Sequence, residues 1–377
     1  MKVIKPGAAI FIGRARSNVQ EQLVDRALRA AALDLADRLR VAGLDAPLIA
    51  GPDLEWLADE GVQREPDEEP FHFGARLAQI VTRYSYSPLL YFGAGSAPLL
   101  RAETLAATLA ALLEAERAGQ RLVVTNNLHS CDWLGLTRAA EAVRLIARAH
   151  RDNGLAWSLQ EDAGYRVEIA LPPDSPAQLD LDTPADLALV REHPDCSPGL
   201  RAALDDPLLD RLAARQLLDL LGTDGSRIAL IGRVSPAAWH ALSRATRCWI
   251  RAFSEERGMT ASERVTRGEV RSLIGVLLRE LGPEQFFAEL AMMADGAIID
   301  TRVLMASRGP LPDTATRFAS DLLRPDWIAD PWLRDFTAAA QHAPLPVLLG
   351  GHSVVAGGLF ALAEVVRARR EGSQGYQ

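Results

Sequence analysis

The fold class follows from residues 73–125, in which helix-period and strand-length segments alternate. The segments read FGARLAQIVTRY (73–84), PLLYF (88–92), AETLAATLAALLEAERA (102–118) and LVVT (122–125). The first and third carry apolar residues at helical spacing, and the second and fourth are short apolar runs of strand length. Regular alternation of this kind predicts an α/β fold with a mostly parallel sheet, right-handed crossovers and helices on both faces.

The residues before this stretch continue the pattern. Residues 8–12 and 46–50 predict strands, residues 19–41 predict an amphipathic helix, and the acidic residues 60–70 predict a surface loop. Ligands of parallel sheets bind beyond the carboxyl ends of the strands. We therefore expect binding residues in the three loops that follow strands, which are Gly13–Asn18, Gly93–Pro98 and Asn126–Thr137.

The second half of the sequence predicts another α/β domain, with more helix and fewer strands. A turn-rich segment, His193–Gly199, separates the halves, so we predict one domain over residues 1–194 and a helix-rich domain over residues 200–377. Apolar runs predict strands at 228–231, 297–305 and 346–349. Helical spacing covers residues 207–221, 236–256, 268–281, 283–294 and 330–342.

Composition narrows the possible chemistry. Of 41 lysine and arginine residues, only Lys2 and Lys5 are lysine, and no G-x-x-x-x-G-K-[ST] phosphate loop occurs. A Schiff-base lysine would have to be one of those two residues. The net charge of −8 argues against a surface that binds nucleic acid without sequence preference. We predict a small-molecule partner and no nucleic acid, and a homo-oligomer is compatible with this composition.

Two further features bear on the location of the protein. The cysteines Cys131, Cys196 and Cys248 match neither a disulfide framework nor a Cys-x-x-Cys metal site, so they predict reduced thiols in a cytoplasmic protein. Residues 343–363 lack formal charge over a length that could span a membrane. However, the glycine pair Gly350-Gly351 predicts a strand, a tight loop and a helix there, so we expect no membrane segment.

The string LDLDTPADL, which ends at residue 187, has two interpretations. Structurally, Asp182 or Thr183 caps a helix that begins with proline, and Asp186 lies in the first turn, where negative charge is favourable. Functionally, Asp180 or Asp182 is a strand-end carboxylate that holds a divalent cation against a nucleotide phosphate.

Several of these segments together resemble the nucleotidyltransferase superfamily, which has the nucleotide-diphospho-sugar transferase fold. They are the strand at Ala8, the string FGARL (73–77), the strand and loop of residues 88–100, and the string LDTPADL (181–187). The sequence is most similar to the guanylyltransferases of molybdenum-cofactor and 2-phospholactate metabolism, over residues 8–192. The resemblance implies a Rossmann-like sheet, a nucleotide or other phosphorylated small molecule as the ligand, and magnesium as a cofactor.

The resemblance implies contacts to the nucleotide. Arg14 and Arg16 stand in the loop where the family places a basic phosphate-binding residue, and guanidinium groups bind phosphate through charge and paired hydrogen bonds. Ser96 and His129 lie in the next two candidate loops and are further candidate binding residues.

The resemblance also implies a metal site, although one expected ligand is missing. Where the family places a metal-binding aspartate, this sequence has Gly95-Ser96. Asp132, with Asp180 or Asp182, is then left to hold magnesium, and Asp132 and Asp182 become the candidate catalytic carboxylates. The alternative is a binding or assembly module that keeps the fold without transfer activity.

The second half has a glycine-rich loop of its own, LGGHSVV (349–355). It is not the G-x-S-x-G turn of serine hydrolases, because Val355 occupies the last position and no histidine follows His352. A glycine pair between a strand and a helix can present backbone N–H groups to an anion. His352 and Ser353 are therefore candidate binding residues, and a tight turn is the structural alternative.

Two aspartates in otherwise apolar segments need partners. Asp300 and Asp321 could each pair with an arginine, because a buried charge is costly alone. One hypothesis is a second small-molecule site made by these aspartates with His352 and Ser353, which places activity in the second half. The alternative is a structural ion pair. The arginines available are Arg302, Arg317 and Arg324.

Overall fold

The computed structural model describes residues 4–57, 61–67, 70–260 and 262–374. The chain forms two compact units: Met1–Ala15 with Leu28–Pro172, and Arg16–Ala27 with Pro173–Gln377. The division after Pro172 lies before the predicted segment 193–199. The boundary lies earlier because residues that follow Pro172 pack inside the second unit. The backbone of Gly357 lies so close to Gln178 that a Cβ atom on Gly357 would be 2.2 Å from the carbonyl oxygen of Gln178.

The first unit is built on a seven-stranded sheet in the order β3-β2-β1-β4-β6-β5-β7. All neighbours are parallel except that β6 is antiparallel to both β4 and β5. The strands are β1 (Gly7–Phe11), β2 (Leu48–Gly51), β3 (Gln63–Pro66), β4 (Leu89–Gly93), β5 (Leu122–Thr125), β6 (Trp133–Leu136) and β7 (Arg166–Ile169). The predicted mostly parallel α/β sheet is confirmed.

Helices cover this sheet as the periodicity predicts. One core lies between β1, β4, β5, β6 and the helices that contact them, and it includes the fully buried side chains of Leu77, Leu134 and Ile146. The helices are α1 (Val19–Val41), α2 (Phe73–Tyr84), α3 (Ala102–Arg117), α4 (Ala139–Ile146) and α5 (Leu155–Ala163). Helix α1 begins in the second unit and ends in the first.

The second unit contains a four-stranded sheet in the order β11-β10-β8-β9, and all its neighbouring strands are parallel. The strands are β8 (Arg227–Gly232), β9 (Trp249–Ser254), β10 (Gly296–Asp300) and β11 (Val347–Gly350). The helices are α6 (Pro184–Arg191), α7 (Pro198–Ala203), α8 (Pro207–Asp210), α9 (Ala214–Gly222), α10 (Pro236–Ala245), α11 (Leu273–Leu281), α12 (Pro283–Met293), α13 (Arg302–Ala306), α14 (Thr314–Asp321), α15 (Pro331–Gln341) and α16 (Gly357–Gln374). This confirms a helix-rich second half.

Some predicted elements were wrong in extent. The predicted helix 236–256 is α10 followed by strand β9, because the β-branched and aromatic residues after position 248 pair with β8. The predicted strand 297–305 ends at Asp300, where helix α13 begins two residues later. Residues 63–66 of the predicted loop 60–70 form β3, since their backbone pairs with β2. The predicted loop 126–137 likewise contains β6.

The uncharged segment 343–363 forms strand β11, a turn at Ser353–Val355 and the start of α16, as its glycines predict. In the described part of the chain, no helix combines the length and the apolar character that crossing a membrane requires. The three cysteines are free, and Cys131 and Cys196 are buried.

Candidate functional site

The strand order of the first sheet reverses between β1 and β4, and the predicted loops 13–18 and 93–98 follow the carboxyl ends of these two strands. The backbone N–H of Ala94 donates to Phe11 O at 2.8 Å, which ties the two loop starts together. Residues 13–19 are exposed. A reversal of strand order creates a crevice that is the usual binding position in open α/β sheets.

Asp132 lies at this edge because β6 runs antiparallel to β4 and therefore starts where β4 ends. The backbone N–H of Gly93 donates to Asp132 O at 3.3 Å. The Asp132 side chain is half-buried, and its Oδ2 accepts a hydrogen bond from Asn126 Nδ2 at 2.7 Å. The backbone N–H of Asp132 donates in return to Asn126 Oδ1 at 3.1 Å. This reciprocal pair fixes the carboxylate beside the end of β4.

The other predicted residues of the first unit surround this position in different ways. The loop that contains Arg14 is anchored where Ala15 N–H donates to Asp53 Oδ2 at 3.1 Å. The Ser96 hydroxyl donates to Gly93 O at 2.7 Å, so it closes the turn after β4. His129 is exposed, and its backbone N–H donates to Asn127 Oδ1 at 2.9 Å. Their roles as binding residues stay predictions.

Cys131, next to Asp132, is not a reactive thiol. Its side chain is buried, and this desolvation raises the pKa of the thiol to about 12. A nucleophilic cysteine needs a lowered pKa. The chemistry available at this edge is therefore that of a carboxylate, amide and guanidinium groups.

Asp180, Asp182 and Arg16 belong to the second unit. Thr183 caps α6 as predicted, and the carboxylate of Asp186 accepts from the backbone N–H of Asp182 at 3.2 Å and from that of Thr183 at 2.8 Å. Burial raises the pKa of Asp186 well above its usual value. Arg16 is exposed, and its backbone N–H donates to Asp25 Oδ2 at 2.6 Å. A metal role for Asp180 or Asp182 stays a prediction.

The second sheet also has a polar carboxyl edge. Asp300 ends β10 and is fully buried, and Arg233 immediately follows β8. Arg233 Nε donates to Asp300 Oδ2 at 2.6 Å and its Nη2 to Oδ1 at 3.0 Å. Despite its burial, the pKa of Asp300 is lowered, because Arg233 stabilises the carboxylate.

His352 follows β11, the strand beside β10, and is half-buried. Desolvation and the charge of Arg233 lower the pKa of its imidazole to about 4, against the opposing effect of Asp300. The ring is therefore neutral near pH 7. Ser353 is turned elsewhere, because its hydroxyl donates to the backbone carbonyl of Asp180 at 3.4 Å.

The second aspartate in an apolar segment has a separate partner. Arg302 donates from Nη1 and Nη2 to the two oxygens of Asp321, at 2.9 and 2.5 Å. Both side chains are buried. The predicted pairing of Asp321 with Arg302 is present, whereas Asp300 pairs with Arg233, an arginine that was not among the predicted partners. Its position directly after an apolar strand was the signal available for finding it.

The side chains of the described residues bear on metal binding. In the described part of the chain, no three His, Cys, Asp or Glu residues form a group that could hold a metal ion. Magnesium, however, is commonly held by one or two carboxylates together with substrate phosphates. The half-buried carboxylate of Asp132 fits this arrangement.

Similar folds occur among solved structures. A protein from Desulfovibrio desulfuricans G20 described as a nucleotide-diphospho-sugar transferase is 13% identical, with a TM-score of 0.38, and the match covers 50% of this chain and 87% of that one. A cytidylyltransferase from Leptospira borgpetersenii is 13% identical, with a TM-score of 0.40 and coverages of 57% and 96%. A Mycobacterium tuberculosis H37Rv protein solved with manganese is 16% identical, with a TM-score of 0.28 and coverages of 44% and 87%.

No protein-family model matches the sequence, and no curated protein matches it significantly. Two of the three similar structures are described as a nucleotide-diphospho-sugar transferase and a cytidylyltransferase. The narrower resemblance to molybdenum-cofactor and 2-phospholactate guanylyltransferases stays a prediction.

Proposed function

We propose that the first unit binds a nucleotide or another phosphorylated small molecule at the carboxyl edge of its sheet. The observation that carries this proposal is the position of Asp132, which the antiparallel strand β6 brings to the end of β4. The loop after β4 has Gly95-Ser96 where the related family has an aspartate. Asp132 supplies a carboxylate at the same edge, from the neighbouring strand.

The reaction that we propose for this site is nucleotidyl transfer. A phosphate or hydroxyl oxygen of the acceptor attacks the α-phosphorus of a nucleoside triphosphate, a new P–O bond forms, and pyrophosphate leaves. Magnesium held by Asp132 would neutralise phosphate charge at this position. Asn126 orients the Asp132 carboxylate, and Arg14 contributes positive charge toward the phosphates. Catalysis here is positioning and charge neutralisation.

The experiment is a calorimetric titration of the full-length protein with each nucleoside triphosphate plus magnesium. Asp132→Asn keeps the size of the side chain and removes the charge, and we expect it to weaken binding on the order of ten-fold or more. Asp182→Asn tests the second predicted carboxylate in the same way. Asp162→Asn is the matched control, because Asp162 is exposed on α5. Saturable binding to none of the triphosphates, or equal affinity of Asp132→Asn and wild type, would overturn the proposal.

A second candidate function is binding without transfer. The absence of the loop aspartate, with Gly95-Ser96 in its place, favours it. It predicts saturable, magnesium-dependent triphosphate binding with no release of pyrophosphate in the presence of phosphorylated or hydroxylated acceptors. Pyrophosphate release that is lost in Asp132→Asn and kept in Asp162→Asn would decide for the transferase.

A further inference from the structure

The carboxyl edge of the second sheet has the geometry of a binding crevice. Its strand order reverses between β8 and β10, because β8 connects to β9 on one side and β10 connects to β11 on the other. Gly232, at the end of β8, has φ +112, and a Cβ atom there would lie 2.6 Å from Asp300 Cβ. The two strand ends therefore approach as closely as glycine allows, and Arg233 and Asp300 occupy the point of reversal.

Arg233 binds Asp300 with only two of its three guanidinium nitrogens. Its Nε and Nη2 bind the two oxygens of Asp300, and no hydrogen bond among the described residues uses Nη1. The side chain is 14% exposed, so this nitrogen belongs to a fixed guanidinium at the solvent boundary. In contrast, the buried Arg76 of the first unit uses all three nitrogens on Glu65, Asp67 and backbone carbonyls.

The groups beside Arg233 are His352, Arg257 and Glu255. His352 is neutral near pH 7, and its ring hydrogen-bonds to the backbone carbonyl of Arg233, which occupies the one donor nitrogen of a neutral imidazole. Arg257 is exposed and acts electrostatically on His352. The carboxylate of the nearby Glu255 accepts from the Ser272 hydroxyl and the Ile274 backbone N–H, both at 3.0 Å. The charges of Arg233 and Arg257 are balanced by those of Asp300 and Glu255, so the edge is neutral overall and Arg233 Nη1 is its cationic donor toward solvent.

We propose that this edge of the second unit binds a small-molecule oxyanion, a phosphate or a carboxylate, through Arg233 Nη1, with the charge of Arg257 strengthening the attraction and the His352 ring lying beside the ligand. Asp300 is a positioning residue, because it fixes the guanidinium plane without contacting the ligand. Charge-assisted hydrogen bonds from a fixed arginine are among the strongest that an oxyanion can receive. All residues of this site lie in the second unit, whereas Asp132, Asn126 and Arg14 of the proposed nucleotide site lie in the first.

The test follows the His352 ring by NMR in full-length protein labelled with ¹⁵N-histidine. The resonance is assigned by its loss in His352→Asn. Inorganic phosphate and acetate are titrated separately at pH 7 and constant ionic strength. We expect a saturable shift with at least one of them. The double variant Arg233→Gln/Asp300→Asn removes both buried charges together and should weaken binding about ten-fold. Arg257→Gln, an exposed change that spares the fold, should weaken it about three-fold.

The matched control removes another arginine–aspartate pair from the same two strands. Arg227 begins β8 and pairs with Asp295, immediately before β10, at the opposite edge of the sheet. Arg227→Gln/Asp295→Asn should keep the affinity within two-fold. A saturable shift with phosphate alone identifies a phosphate ligand, and a saturable shift with acetate alone identifies a carboxylate ligand.

The proposal is overturned if neither anion produces a saturable shift, or if Arg257→Gln and the control bind like wild type. The second comparison needs no folded Arg233→Gln/Asp300→Asn protein. Asp132→Asn should leave the His352 shift unchanged, so failure here and failure of the nucleotide proposal are distinguishable.

Discussion

The two sheets differ in where they bury charge. In the first, the buried Arg76 lies on α2 and binds Glu65 and Asp67 at the outer strand β3. In the second, Arg233 and Asp300 lie where the strand order reverses, with one guanidinium nitrogen unused. An arginine whose nitrogens all bind the protein has a structural role. One that keeps a nitrogen at the usual ligand position is already oriented for a ligand.

The crevice of the first sheet is organised differently. Its candidate groups are an exposed loop with Arg14 and a half-buried Asp132 that is held by the neutral amide of Asn126. No buried arginine occurs there among the described residues. Under the proposed function, the first edge needs a ligand and a metal to complete its charge balance, whereas the charges of the second edge are already paired.

The largest expected effect is the same in both units. Arg76→Gln leaves Glu65 and Asp67 without their buried cation, and Arg302→Gln does the same to Asp321. Each should lower the local free energy of unfolding by about 3–5 kcal/mol. Amide hydrogen exchange of β3 and of β10 measures this in each unit.

Arg121→Gln is the matched control for these changes, because Arg121 and its partner Glu141 are both exposed. It should change the stability by less than about 1 kcal/mol. A small effect of Arg76→Gln with a large effect of Arg302→Gln would show that the first unit does not depend on its buried charges.

The second prediction is that the stability of the second unit depends on pH through His352. The folded pKa of His352, about 4, lies below its ordinary value of 6.5, so folding favours the neutral ring. The stabilisation is complete above pH 6.5 and is lost as the pH falls through the window down to about 4. The loss should reach about 3 kcal/mol.

Urea unfolding of wild type and of His352→Asn from pH 7.5 to 4 isolates the contribution of His352 to the free energy of unfolding. Arg257→Gln should raise the lower limit of the pH range over which stability is lost, because the charge of Arg257 lowers the His352 pKa. Identical pH profiles of wild type and His352→Asn would contradict the prediction and the placement of the ring beside Arg233.

A third and smaller effect compares the glycines that end the central strands. Gly232→Ala should cost about 2 kcal/mol, because its φ is +112 and the new Cβ would lie 2.6 Å from Asp300 Cβ. Gly93→Ala is the matched change at the end of β4, where the nearest atom would be 3.9 Å away. We expect it to be within about 1 kcal/mol of wild type. Equal thermal stabilities of the two variants would remove the argument for close approach in the second sheet.

Periodicity was sufficient for much of the fold. It predicted α1 and α2 with the bounds that the structure has, as well as four of the parallel strands of the first sheet, β1, β2, β4 and β5. It missed β3 because QREP has no apolar alternation; the strand exists only through backbone pairing with β2. It also missed β6, whose antiparallel position depends on contacts with two other strands, and β7, a four-residue strand with two charged residues that pairs with β5.

The site was predictable only in part. Strand-end loops identified Asp132 and His352, since position along the chain indicates the carboxyl edge. Which arginine pairs with Asp300 was not predictable, because Arg233 and Asp300 are 67 residues apart and meet only through the strand order. The hydrogen bond from Asn126 to Asp132 likewise depends on the hairpin that begins β6.

The smallest expected effect separates two roles of a serine at the first edge. The Ser96 hydroxyl is buried and donates to Gly93 O, next to Ala97 with a φ of 50. Ser96→Ala should therefore lower the stability by about 1 kcal/mol. Because the proton is committed to Gly93, triphosphate affinity should change less than two-fold. Calorimetric titration and thermal unfolding of the same samples measure both quantities.

Ser353→Ala is the matched change at the second edge, and its longer 3.4 Å bond to Asp180 O predicts a smaller loss of stability. The opposite result for Ser96→Ala, unchanged stability with a ten-fold loss of triphosphate affinity, would mean that the hydroxyl leaves Gly93 to contact the nucleotide. The first edge would then rearrange on binding, and the contrast with the charge-paired second edge would be sharper still.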